Sequence, residues 1–339
     1  MPLSLLVLIL MAFAGIGMTW VSTGMQRAKR QREAVVEIEK FGGKVVWSKP
    51  SVPDWQASLL GNDFFNDVTS VAFRGPKVTD TVMEQLKWLP QLQTLHFDET
   101  KVTNAGLAHL KGSNQLGMLW LSGTQVTDVG LEHLQGLSQL RFVSLDCTKI
   151  TDAGLEHLAG LNQLYQLSLE DTDVGDAGLE HLQGLRQLVM LDLGRTHVTD
   201  AGLARLKGLN QLRELTLFGT RVTDAGLDNL KRLSRLQELS LDTTEVTDAG
   251  LEHLATLGQL QYLQLSGTQV TDAGLEHLQG LSQLRILTLD DTQVTDAGLE
   301  HLKGLKLQVL RLLNTKVTDV GVKGFRQAVP NCGVVHGFH

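Results

Sequence analysis

The chain has 339 residues, of which 42% are hydrophobic, 20% charged and 5% aromatic, and its formal net charge is −7. That balance belongs to a folded chain whose core is built from leucine rather than from aromatic rings. An acidic chain of this kind is not a general nucleic-acid binder, which presents a basic face, and only six prolines beside 34 glycines exclude a collagen or a Pro-rich linker protein.

The N-terminal stretch Leu3 to Val21 is almost wholly apolar, and no charged side chain occurs before Arg27. A run of about 18 or more such residues predicts a transmembrane signal-anchor over residues 1–25. Arg27, Lys29, Arg30 and Arg32 follow it and nothing basic precedes it. The positive-inside rule then predicts a single-pass membrane protein with its repeats in the cytoplasm. The alternative is a cleaved signal peptide, since Ala12-Phe13-Ala14 fits a small-x-small cleavage site; the repeats would then be secreted or periplasmic. Residues 26–66 are expected to form a juxtamembrane linker and N-terminal cap. In it Ala34 to Lys40 makes a short helix, Val45-Val46-Trp47 follows a turn, and Trp55, Leu59, Leu60, Phe64 and Phe65 cover the first strand.

From Val78 the sequence repeats itself. A unit V-T-D-A-G-L-E-H-L-x-G-L-x-Q-L-x-x-L-x-L-x-x-T-x begins at Val78, Val102, Val126, Ile150, Val174, Val198, Val222, Val246, Val270 and Val294, and again, one residue short, at Val317. In the unit from Val198, Leu203, Leu206 and Leu209 form a helical stripe, while Leu215 and Leu217 alternate as in a strand. Asp200 sits where a helix N-cap acceptor is wanted and Gly208 where a helix end takes a left-handed residue. Ala201 and Gly202 are small enough to let neighbouring helices approach. A strand from Val68 precedes the first full unit, which gives about eleven parallel strands. Strands stack about 4.8 Å apart and helices about 8–10 Å apart, so the array curves with its strands on the concave side. The threonine column Thr100 to Thr315 is expected to satisfy turn backbone. Residues 67–316 then form the solenoid and 317–339 a C-terminal cap, with Val320, Val322 and Phe325 on a last helix and Val334-Val335-His336 in a last strand.

Leu212-Arg213-Glu214-Leu215-Thr216-Leu217-Phe218-Gly219-Thr220-Arg221-Val222 resembles the leucine-rich-repeat family, with Thr220 in the slot that usually holds Asn or Cys. The V-T-D-A-G-L continuation resembles the cysteine-containing class and its bacterial GALA-type relatives. The resemblance implies a right-handed α/β horseshoe and protein–protein binding. Some relatives select substrates for ubiquitin ligases, which gives an adaptor as one alternative function and an exported glycan- or surface-binding module as another.

Binding residues are expected among the outward side chains of the strand face. These carry eleven carboxylates against three cations, a balance of −8 that exceeds the −7 of the whole chain. A concavity of one sign attracts partners of the other, so the expected partner is a basic protein or peptide. The candidate contact residues are Met118, Trp120, Phe142, Asp146, Glu170, Asp171, Asp192, Glu214, Phe218, Asp242, Tyr262 and Asp290. Large exposed aromatics in a concavity are the usual anchors of an interface, and Trp120, Phe142 and Met118 lie on adjacent strands. The bland reading is that these rings pack on their neighbours and stabilise the sheet.

A histidine column (His109, His133, His157, His181, His253, His277 and His301) suggests a metal, but side chains one helix apart cannot converge within about 2.1 Å of one ion. No nucleophile elbow, phosphate loop, H-E-x-x-H or C-x-x-C motif occurs. The sequence therefore predicts no cofactor, no metal and no enzyme. Cys147 and Cys332 stand roughly 35–40 Å apart by strand spacing, too far for a disulfide.

Overall fold

The computed structural model describes residues 3–49 and 62–337, with side chains from Thr19 onward apart from Trp20, Asn62 and Asp63. Among them thirteen strands form one sheet in strict sequence order. Strands β2 (Val68–Ala72) to β12 (Val309–Leu313) are the eleven expected parallel strands, most of them three residues long, such as β4 (Met118–Trp120), β5 (Phe142–Ser144), β6 (Gln166–Ser168), β7 (Met190–Asp192), β8 (Glu214–Thr216) and β9 (Glu238–Ser240). Two further strands close the ends. β1 (Lys44–Trp47) pairs antiparallel with β2, and β13 (Gly333–Gly337) pairs parallel with β12. Register advances by one repeat at each step, for example Leu191 to Leu215 to Leu239.

A 24-residue unit cannot bury its own leucines, so each lies against the next unit. Leu203, Leu206, Leu209, Leu212, Leu215 and Leu217 are all at most 1% exposed. Each such side chain contributes about 1.5–3 kcal/mol by leaving water.

The segments that connect the strands are shorter than the leucine stripe suggests. One α-turn, Asp200–Leu203, passes straight into a 3₁₀ segment, Ala204–Gly208. The stripe at i, i+3 and i+6 has a period of three, the 3₁₀ repeat, in which side chains three apart eclipse one another. Gly208 is not left-handed; the segment ends at Leu209 with φ −83 and ψ 59, and positive φ occurs instead at Gly112 and Gly136.

The N-cap is also one residue earlier than expected. Thr199 has extended backbone and its hydroxyl accepts from Ala201 N. Asp200 reaches into the next repeat, where its carboxylate accepts from Thr223 N at 2.8 Å and from Thr223 Oγ1 at 2.7 Å. The same two bonds join Asp224 to Thr247, Asp248 to Thr271 and Asp272 to Thr295. The helix-start glycine makes room for them: a Cβ on Gly226 would lie 2.3 Å from Asp200 Oδ1. The threonine column does what the sequence suggests, each hydroxyl donating to the carbonyl three residues back, as Thr220 does to Leu217 O at 2.6 Å.

The N-terminal expectation needs correcting. Among the described residues no helix is long and apolar enough to cross a membrane, which counts against the transmembrane helix over 1–25 and against a single-pass membrane protein. The side chains of most of that apolar run lie outside the described residues. Its backbone belongs to a single helix, α1 (Leu3–Lys40), which continues unbroken through Arg27, Lys29, Arg30 and Arg32 and absorbs the short helix expected at Ala34 to Lys40. The second half of α1 is a cap. Ala28, Gln31, Ala34, Val35 and Ile38 are buried, and Gly24, inside the expected span, lies so close to Phe64 that a Cβ would sit 2.4 Å from its ring. Gln31 Nε2 donates to Asn66 O and its Oε1 accepts from Val68 N, which satisfies the start of β2. Arg27 pairs with Asp67. Trp55, Leu59 and Leu60 lie outside the described residues. At the other end, helix α2 (Asp319–Ala328) buries Val322 and Phe325 and leaves Val320 78% exposed. Cys147 is exposed, Cys332 is buried, and both are free thiols.

Candidate functional site

The strand face carries columns of side chains in register, one residue per repeat. Met118 and Phe142 begin β4 and β5, and Trp120 ends β4. Trp120 is held from both sides. The His96 ring stacks on it at 3.8 Å between centroids with 14° between planes, and Phe142 leans on it at 4.2 Å and 33°. Phe218 lies over the preceding repeat: a Cβ on Gly194 would be 2.2 Å from its ring, and the Arg195 guanidinium sits 5.2 Å from the ring centroid. These three rings are half-buried and packed on neighbours, whereas Met118 (42% exposed) and Tyr262 (39%) face solvent.

The candidate carboxylates divide in two. Asp146, Asp242 and Asp290 each accept a backbone N–H from the next repeat, from Glu170 at 3.0 Å, Ser266 at 2.6 Å and Leu313 at 2.8 Å. Asp290 is buried and also paired with Arg311 at 2.7 Å. Asp192 accepts from Gly194 N at 2.9 Å. Asp171 is exposed, and Glu170 and Glu214 are half-buried with no backbone N–H from the next repeat among the described residues. Glu214 faces Glu238 in register across β8 and β9. Asp171 belongs to a left-handed column just past the strands, with Glu99, Cys147, Arg195, Thr243 and Asp291. In that column each backbone N–H reaches a carbonyl of the next repeat, as Asp171 N does Gly194 O at 3.0 Å.

Burial and mutual repulsion make the face electrostatically tense. Burial pushes the Asp192 carboxyl up to about 6, against the Gly194 N–H, with Glu170 and Asp146 adding to the rise. Burial and then Glu238 raise Glu214. Burial raises Asp98 and Asp242, lowers His96, and with Asp171, Asp146 and Glu170 raises the Cys147 thiol. Opposite the strands the histidines of the column are half-buried. His157 Nδ1 meets Gln135 Nε2 at 2.9 Å and His301 Nδ1 meets Gln279 Nε2 at 3.0 Å, each from the preceding repeat, whereas His253 Nδ1 is buried without a hydrogen-bond partner among the described residues.

One feature escapes reasoning from the sequence: a groove of about 770 Å³ at the N-terminal edge of the strands, which Met118 and Phe142 share with Gly117, Arg141, Tyr165 and a set of glutamines. The available signal is Gly117, a glycine where other repeats carry a side chain.

Residues 260–278 match a family model described as a leucine-rich repeat. No curated protein is similar to the chain. An internalin (inlF) of Listeria monocytogenes has a similar solved structure, with TM-score 0.55 and 21% identity, covering 84% of this chain and 93% of the internalin. Internalin C2 (inlC2) of the same organism aligns at TM-score 0.49 and 28% identity, over 62% of this chain and 84% of its own. Repeat, ladder and family match agree: the chain is a leucine-rich-repeat protein. The match is to the family at large and does not reach the finer GALA-type class.

Proposed function

We propose that this chain is a protein-interaction scaffold that works by binding and not by catalysis. Its contact surface is the strand face, and its partner presents a basic surface there. The observation that supports this most directly is the run of carboxylates Glu170, Asp171, Glu214 and Glu238 over β6 to β9, of which Asp171 and Glu238 are exposed and Glu170 and Glu214 half-buried, joined by Asp192. Like charges focused on one concavity attract cationic partners and speed encounter. Tyr262 and Met118 supply exposed apolar area at its margins. The leucine-rich-repeat fold, a scaffold given to protein binding, points the same way.

The test compares two variants of the full chain on immobilised oligolysine under a salt gradient. One replaces Glu170, Asp171, Glu214 and Glu238 by lysine. The other replaces Glu132, Glu156, Glu252 and Glu276, which are exposed on the convex side. Both change net charge equally. The wild type and the convex variant should be retained and elute as salt rises, while the strand-face variant elutes early. Equal loss of retention in the two variants would overturn the proposal.

A further inference from the structure

The strand face is not uniformly acidic. Most of its carboxylates stand at the C-terminal edge of the strands, while Glu214 and Glu238 begin β8 and β9. Over the earlier repeats, along the 770 Å³ groove, Arg141 is the only charged residue among the described lining residues and no carboxylate joins it. Gly117 opens this groove. It shares a column with Gln93, Arg141 and Tyr165, and a Cβ placed on it would meet its nearest atoms, Gln93 O and Gln139 O, at 3.7 Å, an ordinary contact. Its φ is not positive, and its N–H and C=O join the regular ladder, donating to Gln93 O and accepting from Arg141 N. Neither backbone conformation nor the space at Cβ therefore calls for glycine at 117, and the glycine leaves a notch that no backbone requirement explains.

Around the notch, Gln115, Gln139, Gln163 and Gln187 repeat once per unit and are exposed, and their amides have no side-chain partner among the described residues. Each offers one acceptor and a two-proton donor, at a strand spacing of about 4.8 Å. Met118 is 42% exposed and Tyr165 48%. Evenly spaced amides, aromatic and thioether surface and almost no charge suit a neutral ligand made of repeating units, rich in hydroxyls and with apolar faces.

We propose that this groove binds a neutral oligosaccharide. The glutamine amides and Arg141 hydrogen-bond its hydroxyls, the Tyr165 ring packs against the face of a pyranose, and the notch at Gly117 seats one sugar unit.

The experiment is calorimetric titration of the full chain with neutral hexasaccharides (cello-, malto-, laminari- and chitohexaose) and with an uncharged Gly-Ser peptide of similar length. At least one saccharide should bind. Gly117→Gln, which restores the residue found at 93 in this column, should weaken it about tenfold or more with the melting temperature unchanged or raised. Tyr165→Ala, at an exposed position, should weaken it as well. Silence from every saccharide overturns the proposal. So does binding that ignores both substitutions, or a peptide that binds as tightly and competes at the same site.

Discussion

Asp200 and Gly226 meet across a repeat junction: the carboxylate that accepts two hydrogen bonds from Thr223 occupies the place of a Cβ on Gly226, 2.3 Å from Oδ1. The aspartate and the glycine of V-T-D-A-G-L are thus one device, split between neighbouring units. Asp200→Ala leaves Thr223 N–H without its acceptor and should cost about 1–3 kcal/mol. Gly226→Ala should cost about 1–3 kcal/mol by overpacking. In the Asp200→Ala background the alanine at 226 no longer meets the carboxylate; only the end of the Leu203 side chain, at 3.1 Å, remains close, and alanine has the better helix propensity, worth up to about 1 kcal/mol. The double-mutant cycle, measured by urea denaturation, should therefore show coupling of about 1 kcal/mol or more. A Gly226→Ala cost that is equal in both backgrounds would refute the pairing.

One repeat already lacks part of this device. Gly175 stands where the others have threonine; its N–H still reaches Asp152 Oδ1 at 2.6 Å, but there is no hydroxyl to cap the following turn. That repeat forms no α-turn, only the 3₁₀ segment Gly178–Leu182. A Cβ at 175 has its nearest neighbours at 3.6 Å and beyond. Gly175→Thr should restore the cap and the second bond to Asp152, and raise stability by about 1 kcal/mol. An unchanged or lower denaturation midpoint would count against the capping role.

These junctions mark where sequence reasoning succeeds and where it stops. The 24-residue period alone gives the stacking, the strands and the leucine core, because a stack of identical units has few ways to bury Leu203 to Leu217. It does not give the roles of Thr199 and Asp200, since the N-cap and the bond to Thr223 differ only in a distance to the next repeat. The period-three stripe at Leu203, Leu206 and Leu209 fits the 3₁₀ turn, but the same stripe at Leu251, Leu254 and Leu257 accompanies the α-helix Asp248–Leu254, so the spacing alone does not choose between the two. On the strand face the acids are visible, but the backbone N–H groups that hold Asp146, Asp242 and Asp290 are not. The N-terminal apolar run suggests a span when read alone; the contact of Gly24 with Phe64, forty residues on, is a tertiary fact.

Asp192 makes stability depend on pH. Its folded value of about 6 stands above the 3.8 of a free carboxyl, because burial disfavours the charge. The fold then holds the proton longer than the unfolded chain does, so this contribution is full below about pH 4 and is lost as pH rises through 6. The displacement corresponds to about 3 kcal/mol at 1.36 kcal/mol per pH unit, which solvent around a partly exposed group reduces to about 1 kcal/mol. Asp192→Asn should therefore gain about that much on the wild type between pH 4 and pH 7, as read from paired denaturation curves. A constant difference across that range would contradict the assignment.

Trp120 separates the packing role from the binding role. Its ring lies between His96 and Phe142, and two aromatic contacts at about 0.5–1.5 kcal/mol each set the cost of Trp120→Ala near 2 kcal/mol. The same substitution opens His96 to water. Burial is the main reason that the His96 imidazole titrates low, with Asp98 opposing it, so its midpoint in an NMR titration should move up when the indole is removed. Trp120→Phe should keep most of both effects. If His96 titrates unchanged in the alanine variant while stability falls, the burial of that imidazole comes from elsewhere and the indole does not shield it.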